Sequence, residues 1–280
     1  MQECIGRFFS QNGKLSDTKH FDSSFLSTPH YIYEAFRVID GIALFLEDHL
    51  ARLEETCNLS KKCHGFSIEE VYRQVYKVIE ANNFGFGNMK IVLYHVPEKG
   101  NLFKIYITEH NYPSEEQYLN GVAVALFIGI RHNPNAKIMD VKLRHATNLM
   151  KEQRDVYETL LVDNDGCITE GSRSNVFFIR NDEVITAPLQ DVLPGITRKH
   201  IFEVCNNLKI SLKEQKIPAR SVVIMEAAFI TGTSRKVLPV NRIDELDFDA
   251  YHPITKKIQK GFNDRVNAYI LSHKKQINNS

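Results

Sequence analysis

Four short stretches of this chain combine residue types that can hold an anion or carry a proton. Pro194-Gly195-Ile196-Thr197-Arg198 sets a Pro-Gly turn at the mouth of an amphipathic helix. The first backbone N–H groups of a helix lack partners within it and lie at the positive end of its dipole, so they favour a phosphate or carboxylate, and the Thr197 hydroxyl adds a donor. The same residues also suit a plain helix start with threonine near the cap. Thr231-Gly232-Thr233-Ser234-Arg235 is a second hydroxyl-rich turn after an apolar run, either a donor cluster or a solvated loop. In Thr169-Glu170-Gly171-Ser172-Arg173-Ser174-Asn175, a glutamate flanked by β-type sequence either aims a carboxylate into a cleft or marks a surface bend. His49 and Arg52 lie one helical turn apart and share a face, a spacing that also fits a polar outer face.

Composition limits what this chemistry can serve. The 280 residues are 43% apolar and 25% charged, with 35 Lys and Arg against 34 Asp and Glu. That is an ordinary globular profile with no basic field for a polyanion, so nucleic acid is not an expected partner. The five cysteines, Cys4, Cys57, Cys63, Cys167 and Cys205, are scattered and form no C-x-x-C pair, which argues for reduced thiols rather than disulfides or a metal knuckle. No apolar run approaches the roughly 20 residues of a membrane span. The start, Met1-Gln2-Glu3-Cys4, shows no secretory pattern, and a cytoplasmic protein is expected.

The elements that must position these residues are legible in outline. Phe36–Ile39 and Ile42–Leu46 are β-type runs around Asp40-Gly41, a pair that tolerates the positive φ of a tight hairpin. Glu47–Leu59 then carries Leu50, Leu53 and Cys57 at helical spacing. Ser67, with Glu70 three residues on, caps a second helix whose Ile68, Val71, Tyr72, Val75, Val78 and Ile79 share one face, and Asn82, Asn83 and Gly85 end it. Ile91–His95 and Phe103–Thr108 read as strands around Pro97-Glu98-Lys99-Gly100-Asn101. The polar stretch 109–120 marks a boundary between two α+β domains, 1–120 and 121–280. Beyond it come a buried strand from Gly121 to Ile128, a helix near 142–155, alternating strands from Thr159 through Ile185, a helix over Ile196–Leu208, an apolar strand from Met225 to Thr231, and a long amphipathic tail helix.

The order of the motifs is more specific than any one of them. Tyr33-Glu34-x-x-Arg37, Asp40-Gly41, His49-x-x-Arg52-Leu53, Glu170-Gly171-Ser172-x-Ser174-Asn175, Leu193-Pro194-Gly195-Ile196-Thr197-Arg198 and Gly232-Thr233 through Pro239-Val240 together resemble the class IV, or fold-type IV, pyridoxal-phosphate enzymes. That family includes branched-chain aminotransferases, D-amino acid aminotransferases and aminodeoxychorismate lyases. The resemblance runs over roughly the whole chain. It implies a small N-terminal α/β domain, a larger C-terminal domain built on a pseudo-barrel sheet, pyridoxal 5'-phosphate as cofactor, and a homodimer.

The resemblance also requires a lysine to hold the cofactor aldehyde. Lys137, Lys142 and Lys151 lie upstream of Glu170; an ungapped match of Val156–Leu161 and Glu170 selects Lys137, 33 residues before Glu170, with Lys142 as the alternative. By the same resemblance Glu170 bonds the pyridine nitrogen, Leu193 forms an apolar platform under the ring, and Arg52, the N–H groups of Ile196 and Thr197 and the Thr233-Ser234 turn bind the phosphate. Tyr33 corresponds to a pocket tyrosine, and Arg37 either meets a substrate carboxylate or braces the hairpin. Freed by the substrate amine, Lys137 becomes the base that shuttles the proton.

Two departures bear on the substrate. Ser27-Thr28-Pro29-His30-Tyr31-Ile32 replaces the family's glycine and aspartate before the Tyr33 motif, and Ile91–His95 has no carboxylate-capturing arginine. An apolar, branched-chain-like amino acid with a 2-oxo acid as acceptor is the expected substrate pair, although 280 residues is short for the branched-chain group. The alternatives are an aminodeoxychorismate lyase on the same scaffold and a non-catalytic protein that has kept the fold.

Overall fold

The computed structural model describes residues 3–27, 31–61, 65, 67–96 and 100–278, with side chains through Lys275. Cys63, the Thr28-Pro29-His30 part of the altered segment and the Pro97-Glu98-Lys99 turn lie outside the described residues. The chain divides into two compact units: Met1–Asn111 with Ala136–Met139 and Val266–Ser280, and Tyr112–Asn135 with Asp140–Arg265. The first unit takes the chain up to Asn111, and two later segments return to it.

In the first unit, β1 (Phe8–Gln11), β2 (Lys14–Asp17), β3 (Ile32–Ile39), β4 (Ile42–Ala43), α1 (Leu46–Leu59), α2 (Ile68–Ala81), β5 (Phe86–Val96) and β6 (Gly100–Thr108) follow one another. The six strands form an antiparallel sheet in the order β2-β1-β6-β5-β3-β4. Asp40 (φ 53°) and Gly41 (φ 76°) make the expected turn. Asn12 (φ 50°) and Gly13 (φ 80°) make another, between two strands the pattern did not mark because each carries few apolar residues. Period-two alternation splits β3 between two cores. Ile32, Phe36 and Val38 pack with α1 and α2, whereas Tyr33 joins Phe9, Phe25, Tyr31, Tyr94 and Tyr106 on the opposite side. Ala136–Met139 runs beside β3: Tyr33 N donates to Lys137 O (3.2 Å), Met139 N donates to Tyr31 O (2.9 Å), and Ile32 pairs with Ile138.

The second unit holds α3 (Glu115–Asn120), β7 (Val122–Ile128), α4 (Val141–Arg154), β8 (Glu158–Val162), β9 (Cys167–Gly171), β10 (Asn175–Arg180), β11 (Glu183–Thr186), α5 (Ile196–Asn207), β12 (Leu212–Glu214), β13 (Ile217–Pro218), β14 (Ala227–Gly232), β15 (Lys236–Ile243), β16 (Leu246–Asp247) and α6 (Pro253–Asn278), whose last residues from Val266 belong to the first unit. Its ten strands form one mixed sheet, running β12-β11-β10-β14-β15-β7-β8-β9-β13 with β16 on β15. Val124, Leu160, Val176, Phe178, Ile230, Leu238 and Val240 fill one side. On the other, Phe177 stacks on Phe229 at 4.9 Å and meets Phe202 of α5 edge-on. Helix α3 lies inside the polar stretch 109–120 that was read as the boundary, and there Ser114 and Gln117 form a reciprocal capping box.

Candidate active site

Glu170, near the end of β9, is 2% exposed. Its Oε1 accepts from Arg131 Nε at 2.6 Å and its Oε2 from the Leu193 backbone N–H at 3.1 Å. Arg131 Nη2 also donates to Ser172 O (3.3 Å), so one guanidinium holds both the carboxylate and the turn after it. The Leu193 carbonyl accepts from Asn175 Nδ2 (3.0 Å) and Gly195 N (2.7 Å), and the backbone of one residue, Leu193, thus links Glu170 to the start of α5.

That start is unusual. Gly195 occupies the cap position with no side-chain cap, while Ile196, Thr197 and Arg198 are buried. A buried, uncapped helix N-terminus leaves backbone donors for which the helix itself has no acceptor. A Cβ on Gly195 would stand 2.0 Å from Asn175 Oδ1, so only glycine lets the turn approach this closely. Asn175 lies opposite Thr231 on β14, whose buried Oγ1 has no partner, and Thr233 and Ser234 follow in the turn to β15. Bare N–H groups and an unpartnered hydroxyl fit an anionic group such as a phosphate.

The first unit carries a second cluster. Glu34 occupies a core-facing phase of β3, where it accepts from Arg52 Nε (2.8 Å), Arg52 Nη2 (2.7 Å) and His49 Nδ1 (2.7 Å). Burial alone would raise the Glu34 carboxyl, but the Arg52 charge and the hydrogen bonds outweigh it and bring it to about 2. Burial holds the His49 pKa below its ordinary value, against the opposing pull of Glu34. His49 and Arg52 are therefore buried partners of a carboxylate, not a polar outer face, and the guanidinium edge assigned to a phosphate is engaged by Glu34. On the other side of β3, Lys137 Nζ stands 4.7 Å from the centre of the Tyr33 ring, and Lys137 N donates to Thr56 Oγ1 (3.1 Å). Arg37 is buried with its guanidinium 5.2 Å from the Phe86 ring centre.

The family model for amino-transferase class IV matches residues 31–243. This chain belongs to that family. The class IV aminotransferase is 26% identical over 270 residues to a branched-chain-amino-acid aminotransferase of Pseudomonas aeruginosa, with 88% of each chain covered. It is 23% identical over 290 residues to the aminodeoxychorismate lyase of Bacillus subtilis, covering 96% of this chain and 94% of that one. In fold it resembles the branched-chain amino acid aminotransferase of Thermobaculum terrenum solved in its PLP form, with a TM-score of 0.84 over 96% of both chains at 20% identity. The expected α+β, fold-type IV architecture is the one this aminotransferase adopts.

Of the residues singled out from sequence, Tyr33, Arg37, Arg52 and Lys137 lie in the first unit of the class IV aminotransferase, and Glu170, Leu193, Ile196, Thr197, Thr233 and Ser234 in the second. Tyr33 meets Lys137, and Glu170 meets Leu193. Lys137 precedes α4, whose cap is Asp140. Lys142 is exposed on α4, and Lys151, half-buried there, is lowered to about 8 by burial against the attraction of Glu158. Three charged groups were given no role from sequence: Glu34, which stood inside the Tyr33 motif, Glu158 and Arg131. Glu34 and Glu158 carry a signal, a carboxylate at a core phase of an apolar strand. Arg131, just past β7, carries none.

Proposed function

We propose that this class IV aminotransferase uses pyridoxal 5'-phosphate to move an amino group from an amino acid of apolar side chain to a 2-oxo acid. One observation carries the reading: Glu170, fixed by Arg131, is joined through the Leu193 peptide to a buried and uncapped helix start. A carboxylate and an anion site built into one stretch of chain suit the ring nitrogen and the phosphate of that cofactor. When bound, the cofactor supplies an aldehyde that captures amines and a ring that withdraws electrons from the substrate α-carbon. Glu170 keeps a proton on the ring nitrogen, because a buried anion beside it favours the charged pyridinium. Ile196 and Thr197 N–H groups with Thr233 and Ser234 hold the phosphate, and Arg52, whose Nε and Nη2 are held by Glu34, is the cationic partner assigned to it. Leu193 supports the ring. The Lys137 amine would hold the cofactor aldehyde and would serve as the base that moves the proton at the substrate α-carbon. Tyr33 walls the lysine from water, and Arg37 orients the substrate carboxylate.

The proposal extends to a cytoplasmic homodimer of the 32.2 kDa chain. Cys4, Cys57, Cys167 and Cys205 are buried thiols in no disulfide among the described residues, which suits a reducing compartment, and gel filtration at twice the chain mass tests the dimer. The decisive experiment mixes cofactor-loaded protein with single L- and D-amino acids and follows the visible spectrum, then adds 2-oxo acids. The expected result is loss of the band with an apolar amino acid and its return with the oxo acid; a spectrum unmoved by every amino acid defeats the reading. Alignment with a lyase over 96% of this chain favours a second reading, tested by release of pyruvate and p-aminobenzoate from aminodeoxychorismate. Borohydride reduction and peptide mapping are expected to find the label on Lys137 rather than Lys142 or Lys151.

A further inference from the structure

We propose that Glu158 is a positioning residue that ties the turn after Glu170 to the turn carrying Thr233 and Ser234. The proposal rests on the reading of those residues as cofactor ligands. Glu158 heads β8 and is fully buried, although no ligand role falls to it. Its Oε1 accepts from Ser172 Oγ (2.6 Å) and Thr159 N (2.9 Å). Its Oε2 accepts from Ser174 Oγ (3.2 Å) and pairs with Arg235 Nη2 (3.1 Å). Arg235 Nη1 in turn donates to Arg173 O (3.3 Å), so the second turn is clasped to the first through both ends of one guanidinium.

The fit around this carboxylate is close. A Cβ on Gly171 would stand 2.0 Å from Ser174 Oγ and 3.3 Å from Glu158 Cγ, which leaves glycine as the residue that lets Glu170 and Ser172 flank the clasp. Ser172 bonds Glu158 through its hydroxyl and Arg131 through its carbonyl, and Arg131 is the residue that holds Glu170. A path of hydrogen bonds thus runs from Glu170 through Arg131, Ser172 and Glu158 to Arg235 in the hydroxyl turn. A buried carboxylate with four partners in fixed directions locks the side chains around it, and both turns inherit that order.

A merely structural ion pair would look similar, and the two roles separate in a charge-removal series. Cofactor-free parent, Glu158→Gln, Arg235→Met and the double variant are titrated with pyridoxal phosphate, and their thermal midpoints are measured without it. Each single variant leaves a buried partner uncompensated and melts earlier, whereas the double variant removes both charges and recovers much of the midpoint. The cofactor dissociation constant of the double variant is expected to stay about tenfold above the parent's, the equivalent of one charge-assisted hydrogen bond. The pH at which its bound cofactor changes colour also moves, because Glu170 is less well held. Affinity that recovers along with the midpoint overturns the proposal. If the single variants do not fold, Ser172→Ala with Ser174→Ala cuts the same clasp without touching a charge, and unchanged affinity there overturns it as well. A parent that takes up no pyridoxal phosphate defeats the site assignment itself, an outcome distinct from a binding parent whose variants bind equally well.

Discussion

Glu34, Glu158 and Glu170 are buried carboxylates, and each meets a guanidinium: Arg52, Arg235 and Arg131 respectively. Removing water from an ion pair costs several kcal/mol, so such pairs persist where further hydrogen bonds satisfy the remaining lone pairs, as His49, Ser172, Ser174 and the Leu193 amide do here. The pairs make the protein sensitive to acid. His49 is lowered from 6.5, so the unfolded chain binds its proton first, and that part of the stability is whole above about 6.5 and declines below it. Glu34 is held at about 2 against an ordinary 4.5; its contribution is whole above 4.5 and is lost on the way down to 2, on the order of 3 kcal/mol. Urea midpoints measured from pH 7 to pH 3 are expected to fall, and His49→Gln to flatten the fall that begins below about pH 6.5. A flat parent profile would contradict the assignment. From sequence, Glu34 was part of a motif and His49-x-x-Arg52 a shared face, but what they faced was hidden, because cross-strand and strand-to-helix partners are far apart in the chain.

Helix ends show where local sequence suffices and where it does not. Ser67 was legible as the cap of α2, and its side chain accepts from Glu70 N at 3.1 Å. Ser67→Ala is expected to lower the unfolding free energy by about 1 kcal/mol, read as an earlier urea midpoint with an unchanged slope. The start of α5 is the opposite case, since Gly195 gives no side-chain cap to three buried residues. Inorganic phosphate is expected to stabilise the cofactor-free protein, by about 2.7 kcal/mol at a hundredfold excess over its dissociation constant, as a rise in thermal midpoint. Thr197→Val should weaken that response by about 1 kcal/mol of binding, and an equal response in both proteins would move the anion site away from α5. Asp40-Gly41 and Asn12-Gly13 use the same turn chemistry, yet only the first was read, because β1 and β2 are short and carry few apolar residues. Helix α3 was missed because its six residues include none that is buried, which leaves no apolar face to register.

At the scale of the whole molecule, the first unit is assembled from three separate segments of chain. Val266 and Ile270 are buried, Tyr269 packs against Phe45 at 4.8 Å and its hydroxyl donates to Glu47 Oε2 (2.6 Å), and Lys274 Nζ meets Asp40 Oδ2 (2.7 Å). Ending the chain at Arg265 removes these contacts and is expected to cost the first unit about 3–5 kcal/mol, with faster amide exchange in α1. Unaltered exchange in α1 would show that the tail is dispensable. The sequence by itself determined the order of the motifs, on which the resemblance to the family rests, and most of the helices and strands, because strand alternation, helical periodicity, turn pairs and caps act within about ten residues of chain. Only the tertiary structure decided where the chain changes unit, that four residues around Lys137 align along β3, and which arginine answers each buried carboxylate. Those outcomes depend on long-range burial, in which a charge is tolerated only beside its partner, and nothing in the spacing of Arg131 from Glu170 or of Arg235 from Glu158 announces it.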